Sequence, residues 1–321
     1  MVRMASDITG LHHVGHVVRD LAEALDLYRR LGFDVPPPAY PAMVPPGGSA
    51  PEPFGAANTH ADFARDFVEV ATCVGEGARI PEDAKIVPLQ APPDVLPVLL
   101  DRIAATSANL AVCLKRFEGL HILMFSSSDV DATAARLADV GVRHGGVNTV
   151  RRPVRADVVE AVRYLEIDGD QPGLEAEGRI GVVADLDQEI QSTRVREHPN
   201  GAVALLEAVL CVPEADLDAV ERRYARYLDV EPVREGVTRV FPLGAARLSL
   251  VADGDLGALL PGERPVASPA VVAFTVGVAD LSVTARHLRA QSCPFRMAET
   301  GDLFVPAESA LGAAVIFREM A

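Results

Sequence analysis

Three side chains in apolar, strand-like segments have the chemistry for metal binding or proton transfer. Glu69 stands alone in FVEV, Glu166 stands alone in YLEI, and His13 lies in the Val-rich segment LHHVGHVV. A buried carboxylate without a partner is costly, so each glutamate should face a cation, carry a proton or accept a strong hydrogen bond. The alternative for either glutamate is a solvent-facing position on an alternating strand. For His13 it is a hydrogen-bonded place in the core.

The segment 11–33 indicates the elements that position His13. Residues 11–18 are Val-rich, which favours a strand. Asp20 can accept backbone N–H groups at a helix start, and apolar residues then recur at helical spacing. Gly32 can adopt the left-handed conformation that ends a helix. We therefore predict a strand, a capped amphipathic helix and a stop in this order.

The same order returns in the segment 119–142, which indicates an internal repeat. Asp129 and Gly141 are separated by the same distance in sequence as Asp20 and Gly32. A repeated unit of this kind is stronger evidence for the fold class than any single helix or strand.

Two more copies of the unit begin near Ala202 and Ala270. The sequence therefore predicts an α+β fold, with four βαβββ modules that pair into two domains. The predicted boundaries are 1–184 for the first domain, 185–200 for a linker and 201–321 for the second domain.

Some segments inside the first domain need separate predictions. Residues 77–118 interrupt the repeat, and we expect a helix within 92–107 and a strand at Leu110–Phe117. The last strand of the second module is expected at Ala161–Asp168, which contains Glu166.

The order of strand, helix, glycine and strand resembles the first half of the module of the vicinal oxygen chelate superfamily. This superfamily includes glyoxalase I, extradiol dioxygenases and bleomycin-resistance proteins. The resemblance implies metal ligands on the first and last strands of each module. It points to His13, Glu69, His121 and Glu166 as ligands of one divalent ion.

His121 departs from the pattern that this resemblance implies. It lies eight residues before Asp129, whereas His13 lies seven residues before Asp20, so Ile122 takes the ligand position by strict counting. A shift of one residue turns a strand side chain to the other face. A β-bulge could restore the direction, and the sequence leaves both outcomes open.

Two imidazoles and two carboxylates suit Fe(II), Mn(II), Ni(II) or Zn(II), and the sequence does not choose among them. The third and fourth modules lack this set of residues. Glu207 falls near the position of His13 in the third module, and Ala273 occupies it in the fourth. We therefore expect a metal site in the first domain and none in the second.

Further polar candidates surround the predicted site. Asn58 and His60 follow the Pro-rich segment 35–55 and share one face of a short strand, so His60 could be a base, a substrate donor or a ligand. Asn58, Arg163 and Phe125 are assigned to substrate binding. Turn chemistry for Asn58 and surface positions for His60 and Arg163 are the alternatives.

Composition excludes several classes of function. The net charge of −15 disfavours a nucleic-acid or anionic membrane partner. We see no apolar run of the length of a membrane span and no signal-peptide core, and we expect a cytoplasmic protein. The four cysteines are scattered without metal-site spacing. A small-molecule substrate is the expected partner, and a homodimer is left open.

The sequence thus supports two functions of different kinds. The first is a metal-dependent enzyme of glyoxalase type, a lyase or isomerase that acts through a metal-bound enolate, or a dioxygenase if the ion is Fe(II). Glu69 or His60 would move the proton. The second is a metal-free protein that binds a small molecule or antibiotic, as bleomycin-resistance proteins do.

Overall fold

A large β-sheet with helices forms the protein, as the computed structural model shows. The structure describes residues 6–320 except 46, 76, 90, 91, 93, 156 and 157, and of 152–155 and 158 only the backbone. The predicted α+β fold class is confirmed.

The first half of the chain contains ten strands and four helices in the described part. In chain order these are β1 (Ile8–Val17), α1 (Leu21–Arg30), β2 (Ala39–Met43), β3 (Glu52–Pro53), β4 (Gly55–Asp62), β5 (Phe67–Val74), β6 (Lys85–Pro88), α2 (Leu96–Arg116), β7 (Gly119–Ser127), α3 (Val130–Asp139), β8 (Asn148–Arg155), β9 (Val158–Glu166), β10 (Arg179–Ala184) and α4 (Gln188–Ser192).

The second half repeats the order of strand, helix and three strands twice. Its elements are β11 (Ala202–Val212), α5 (Leu217–Leu228), β12 (Val233–Glu235), β13 (Thr238–Leu243), β14 (Ala246–Ala252), α6 (Leu256–Leu259), β15 (Ala270–Val278), α7 (Leu281–Ala290), β16 (Arg296–Met297), β17 (Leu303–Val305) and β18 (Ala314–Glu319). Short 3₁₀ turns lie at Glu214–Asp216, Asp253–Asp255 and Ala307–Ser309.

Strand pairing divides the sheet into two similar parts. Neighbouring strands run β6-β2-β4-β5-β1-β7-β10-β9-β8 in the first half. They run β12-β13-β14-β11-β15-β18-β17-β16 in the second. The residue pair Leu120 and Val271 joins β7 to β15. The domain boundaries themselves stay a prediction.

The helix signals of the sequence act as expected in the first half. The Asp20 carboxylate accepts the N–H groups of Ala22 and Glu23 at 2.9 and 3.1 Å, and Asp129 caps α3 in the same way. Gly32 and Gly141 both have positive φ after their helices. These caps fix where β1 and β7 end, and therefore which residues each strand can pair.

Two local predictions were wrong. Leu110–Phe117 is not a strand, because Leu110, Cys113 and Leu114 bury one side of the long helix α2, which ends at Arg116. The last strand of the second module is β10, because β10 runs parallel to β7 as β5 runs parallel to β1. Glu166 therefore lies on the last but one strand, β9.

The main core lies on one face of the sheet, where α1, α3, α5 and α7 pack in both halves. The opposite face of the first half is covered in part by α2. There the buried apolar side chains are Leu110 and Leu114 of α2 with Val17, Ile122, Met124 and Val183 of the sheet. We call this surface of the first-half sheet the α2 face.

Candidate active site

The register of the central strands brings His13, Glu69 and His60 to the α2 face. Ile122 is opposite Gly15, Gly15 is opposite Glu69, and Glu69 is opposite His60. Directly paired residues point to the same face of a sheet, and so do residues two apart on one strand. His13 therefore shares the face with Gly15 and with Glu69.

The Glu69 carboxylate is the centre of this group. Its Oε1 accepts the Asn58 side-chain amide at 2.6 Å, and the His60 Nε2 lies 3.9 Å from the same oxygen. The His13 Nε2 lies 3.7 Å from Oε2, and 13% of the Glu69 side chain is exposed. The Nδ1 atoms of His12 and His13 are 2.7 Å apart and share a hydrogen bond. The Glu69 carboxylate is therefore partly accessible and already has one firm donor.

Phe67 contacts the two imidazoles that approach Glu69. Its ring centroid lies 4.5 Å from that of His13 with planes 10° apart, and 4.4 Å from that of His60 with planes 32° apart. β1, which carries His13, and β4, which carries His60, pair with opposite edges of β5, which carries Phe67. His13 and His60 therefore approach the Phe67 ring from the two neighbouring strands.

His121 lies outside this group. The pairing of β1 with β7 passes from Gly15 opposite Ile122 to His16 opposite Leu120, so the bulge that the sequence left open exists at His121. The side chain nevertheless bonds the carbonyl of Phe117 at 3.0 Å and packs on the Phe117 ring.

Burial lowers the pKa of His121 to about 4, so it is a neutral core residue near neutral pH. None of the hydrogen bonds or ring contacts in the described part of the chain joins it to His13 or Glu69. The prediction of His121 as a ligand is not supported, because the bulge turns the ring toward Phe117.

Glu166 is held by an arginine that sequence reasoning missed. Arg179 Nε donates to Glu166 Oε1 at 3.0 Å, and Arg179 Nη2 makes a shorter contact with the same oxygen. Arg179 is the residue of β10 opposite Ile122, so it too belongs to the α2 face. The sequence does place an arginine at the start of the apolar segment RIGVVA, which could have revealed it if β10 had been predicted.

The three residues assigned to substrate binding lie in different parts of the structure. Asn58 contacts Glu69 and belongs to the group. Arg163 forms an exposed pair with Asp131 of α3, with both N–O distances at 2.7 Å, so it lies away from Glu69. Phe125 is fully buried in the main core and approaches Tyr224. The structure does not bring Arg163 or Phe125 to Glu69, because both side chains leave the sheet on its other face, and their assignment to substrate binding stays a prediction.

The helix α2 limits access to the α2 face. Ser107 donates to the carbonyl of Gly55 at 2.9 Å, and a Cβ on Gly55 would meet Ile103, so α2 lies directly on β4. By length and composition alone, α2 is also the one helix among the described residues that could cross a bilayer. We expected no such segment from the sequence. In the structure α2 packs on β4 and covers part of the α2 face.

The residues on the α2 face do not fit the four-ligand metal site of the resemblance. The positions in the second module that correspond to His13 and Glu69 are Ile122 and Gly181, which have no ligand atoms in their side chains. Within the described residues, no three His, Cys, Asp or Glu side chains are arranged to hold an ion. A divalent ion stays a prediction, and we derive no chemical step through it.

The equivalent face in the second half has a different charge arrangement. The buried Glu207 carboxylate accepts Ser249 at 2.5 Å, and Arg247 and Arg318 each place a nitrogen within 3.1 Å of it. The charge of Glu207 is therefore balanced by arginine side chains of the second half of the chain. The predicted lack of a metal set in this half agrees with that arrangement but stays a prediction.

A separate cleft lies between α1 and loops of the second half. It has a volume of about 650 Å³, and its walls include Arg30, Glu118, Arg264 and Arg296. None of the predicted site residues lines it. We place the candidate site at the α2 face because there two imidazoles each approach one carboxylate, whereas the charged side chains of the cleft are of mixed sign.

Comparison with known proteins agrees with this architecture. Residues 11–228 match the family model of the glyoxalase-like domain. No curated protein matches the chain.

Solved structures similar to this chain share the fold at low sequence identity. One is a hypothetical protein from Staphylococcus aureus, with 10% identity, a TM-score of 0.60, and coverage of 98% of this chain and 100% of that chain. Another is a mutant of 4-hydroxymandelate synthase from Streptomyces coelicolor, with 14% identity, a TM-score of 0.56, and coverage of 98% of this chain and 93% of that chain. A third is a Mn(II)-bound glyoxalase from Novosphingobium aromaticivorans, with 11% identity, a TM-score of 0.54, and coverage of 98% of this chain and 83% of that chain. The resemblance to the vicinal oxygen chelate superfamily is confirmed.

Proposed function

We propose that this chain, which belongs to the glyoxalase-like domain family, is an enzyme that transfers a proton on a small oxygenated substrate at the α2 face. The observation that carries the proposal is the position of Glu69. Its carboxylate is oriented by the Asn58 amide, approached by the imidazoles of His13 and His60, and still partly accessible. Such a group is suited to act as a base.

Glu69 would take a proton from a carbon next to a carbonyl group. The C–H electron pair then moves into the carbonyl, whose oxygen becomes an enolate oxygen, and the proton resides on Oε2 of Glu69. Return of the proton to the neighbouring carbon completes an isomerisation, and loss of a β-substituent completes a lyase reaction. Asn58 already donates to Oε1, so Oε2, on the side of His13, is the oxygen available for the proton.

His60 and His13 would move the second proton of such a reaction, between oxygens. Each imidazole has its Nε2 within 4 Å of Glu69. The match to the glyoxalase-like domain family supports a reaction of glyoxalase type for this chain. The four-ligand site of the family would also need ligands at the second-module positions, where Ile122 and Gly181 have none.

Exchange of substrate protons with solvent tests this proposal. The wild type is incubated in D₂O with dihydroxyacetone, pyruvate and the hemithioacetal of methylglyoxal and glutathione, and deuterium at carbon is followed by NMR. We expect exchange with at least one probe, and a loss of about a thousandfold in Glu69→Gln. The control Glu82→Gln changes an exposed glutamate and should retain the rate. Equal rates in both variants, or no exchange with any probe, would refute the proposal.

Binding without turnover is the second candidate function. It is favoured by α2, which covers part of the face and leaves the Glu69 side chain only 13% exposed. The same NMR samples separate the two functions, because a binding protein would broaden or shift the signals of a probe without incorporating deuterium.

A further inference from the structure

We infer that Arg179 is the fixed cation of the α2 face, and that it binds an anionic oxygen of the substrate in the role predicted for a metal ion. The ligand class is a small molecule with two neighbouring oxygens, one of which is a carboxylate or becomes an enolate. This inference rests on the function proposed above, since it assumes that the chemistry occurs at Glu69.

The first argument is position. Across five neighbouring strands, one row of paired residues runs from Arg179 to Ile122, Gly15, Glu69 and His60. Gly15 has no side chain, and the Ile122 side chain lies over it, since a Cβ there would come within 2.6 Å of Ile122. The row therefore begins at Arg179 and ends with the proposed base Glu69 and then His60, with Ile122 and Gly15 between them.

The second argument is the way Arg179 is held. Its Nε and Nη2 both point to Glu166 Oε1, while Nη1 has no hydrogen bond to any of the described residues. Burial lowers the pKa of Arg179, but the negative charges of Glu166 and then Glu69 raise it by more than burial lowers it. The net change is upward, so the guanidinium stays charged. A charged donor fixed by two bonds presents its remaining N–H groups without loss of side-chain freedom.

The third argument is that the predicted metal positions are occupied by unsuitable groups. Ile122 and Gly181 replace two of the family's ligands, and Phe67 packs against both His13 and His60. A buried guanidinium near Glu69 also repels a second cation. An enolate oxygen formed beside Glu69 still needs a positive partner, and Arg179 is a cation in the same row of paired residues as Glu69.

Oxalate, which has two neighbouring anionic oxygens like an enediolate, is the probe for this inference. Isothermal titration calorimetry with EDTA-treated protein should show oxalate binding to the wild type. Arg179→Gln combined with Glu166→Gln, which removes both charges of the pair, should weaken binding about tenfold or more. Glu69→Gln should strengthen binding several-fold because it removes the repulsion between two anions. Arg163→Gln, outside the site, should leave the affinity unchanged.

A folding control and a separate readout keep the outcomes distinct. If the double variant loses its near-UV circular dichroism, Arg179→Lys replaces it, and its weaker, single-point contact should still lower the affinity for oxalate. Equal affinity in the wild type and the folded variant, or no oxalate binding to the wild type, would overturn the role of Arg179. So would stoichiometric Mn(II) bound to the wild type that is required for binding. The function itself would fail separately, through deuterium exchange that does not depend on Glu69.

Discussion

The Phe67 ring stacks on the His13 imidazole with centroids 4.5 Å apart and planes only 10° from parallel. His60 reaches the same ring from β4, on the other edge of β5, with centroids 4.4 Å apart, so Phe67 contacts both imidazoles that approach Glu69. We expect this apolar side chain to decide whether these residues act as separate proton-transfer groups or as a set of metal ligands.

Removal of the Phe67 ring should create a metal site. In Phe67→Ala, His13, His60 and Glu69 are free to close on one ion, and two imidazoles with one carboxylate are a suitable ligand set. We expect Co(II) titration to give d–d absorption bands with one ion per chain in this variant and none in the wild type.

The matched control for this experiment is Phe67→Ala combined with His60→Ala, which should lose the bands. Removal of the nearly buried ring costs about 3–5 kcal/mol, so the fold of each variant is verified by circular dichroism. Identical Co(II) binding by wild type and Phe67→Ala would show that the ring does not separate the ligands.

Asn58 should act as a positioning residue for Glu69. Asn58→Ala removes a hydrogen bond to a carboxylate, and we expect kcat to fall about 10- to 100-fold. KM should change little, because the amide contacts Glu69 at 2.6 Å and is proposed to act through it. Asn58→Ser, which keeps a short donor, should recover part of the rate. A change in KM alone would mean that Asn58 binds substrate.

Asp66 should make stability depend on pH. It is buried beside the second half and accepts the Leu205 N–H at 2.7 Å. Burial raises its pKa to about 7 from an ordinary 3.8, although the Leu205 bond and Arg65 act the other way. Between these values the folded chain holds a proton that the unfolded chain has released, so this contribution to stability is full below pH 3.8 and is lost as pH rises through 7.

Urea unfolding of wild type and Asp66→Asn from pH 4 to 8 measures this effect. The free energy of unfolding of the variant minus that of the wild type should increase as pH rises, by up to about 4 kcal/mol. His16 and His121, whose pKa values burial lowers to about 4, contribute the opposite slope in both proteins and cancel in the difference. A difference that does not vary with pH would contradict the prediction.

Arg223 should be essential for the contact between the 169–178 loop and α5. It donates to Glu175 at 2.8 Å and to the fully buried Glu177 at 2.7 Å. In Arg223→Met both carboxylates lose their cation, and we expect a loss of about 3–5 kcal/mol in the free energy of unfolding. Arg222→Met, its exposed neighbour, should change stability by less than about 0.5 kcal/mol. Similar losses in both variants would mean that the buried pair is not special.

The sequence was most informative where local chemistry decides the structure. Asp20 and Gly32 delimit α1 because a cap and a left-handed residue act within a few positions, and the repeat at Asp129 follows the same rule. Alternation along a strand also predicts that Asn58 and His60 share a face, whereas their position beside Glu69 depends on the pairing of β4 with β5.

The rest depends on tertiary relations that one sequence does not show. Glu166 resembled Glu69 in its apolar flanks, but the strand that completes the second module lies farther along, so its partner is Arg179. The bulge at His121 arises from the pairing of β7 with β1 and is invisible in β7 alone. Leu110 reads equally well in a strand or a helix, and its packing on the sheet decides for the helix.

The most direct test of the account is a crystal structure of the Glu69→Gln variant with oxalate. We predict an oxalate on the α2 face, with one oxygen within hydrogen-bond distance of Arg179 Nη1 and the other end near residue 69 and His60. Oxalate bound only in the cleft that Arg30 and Arg264 line, with the α2 face unchanged, would contradict it.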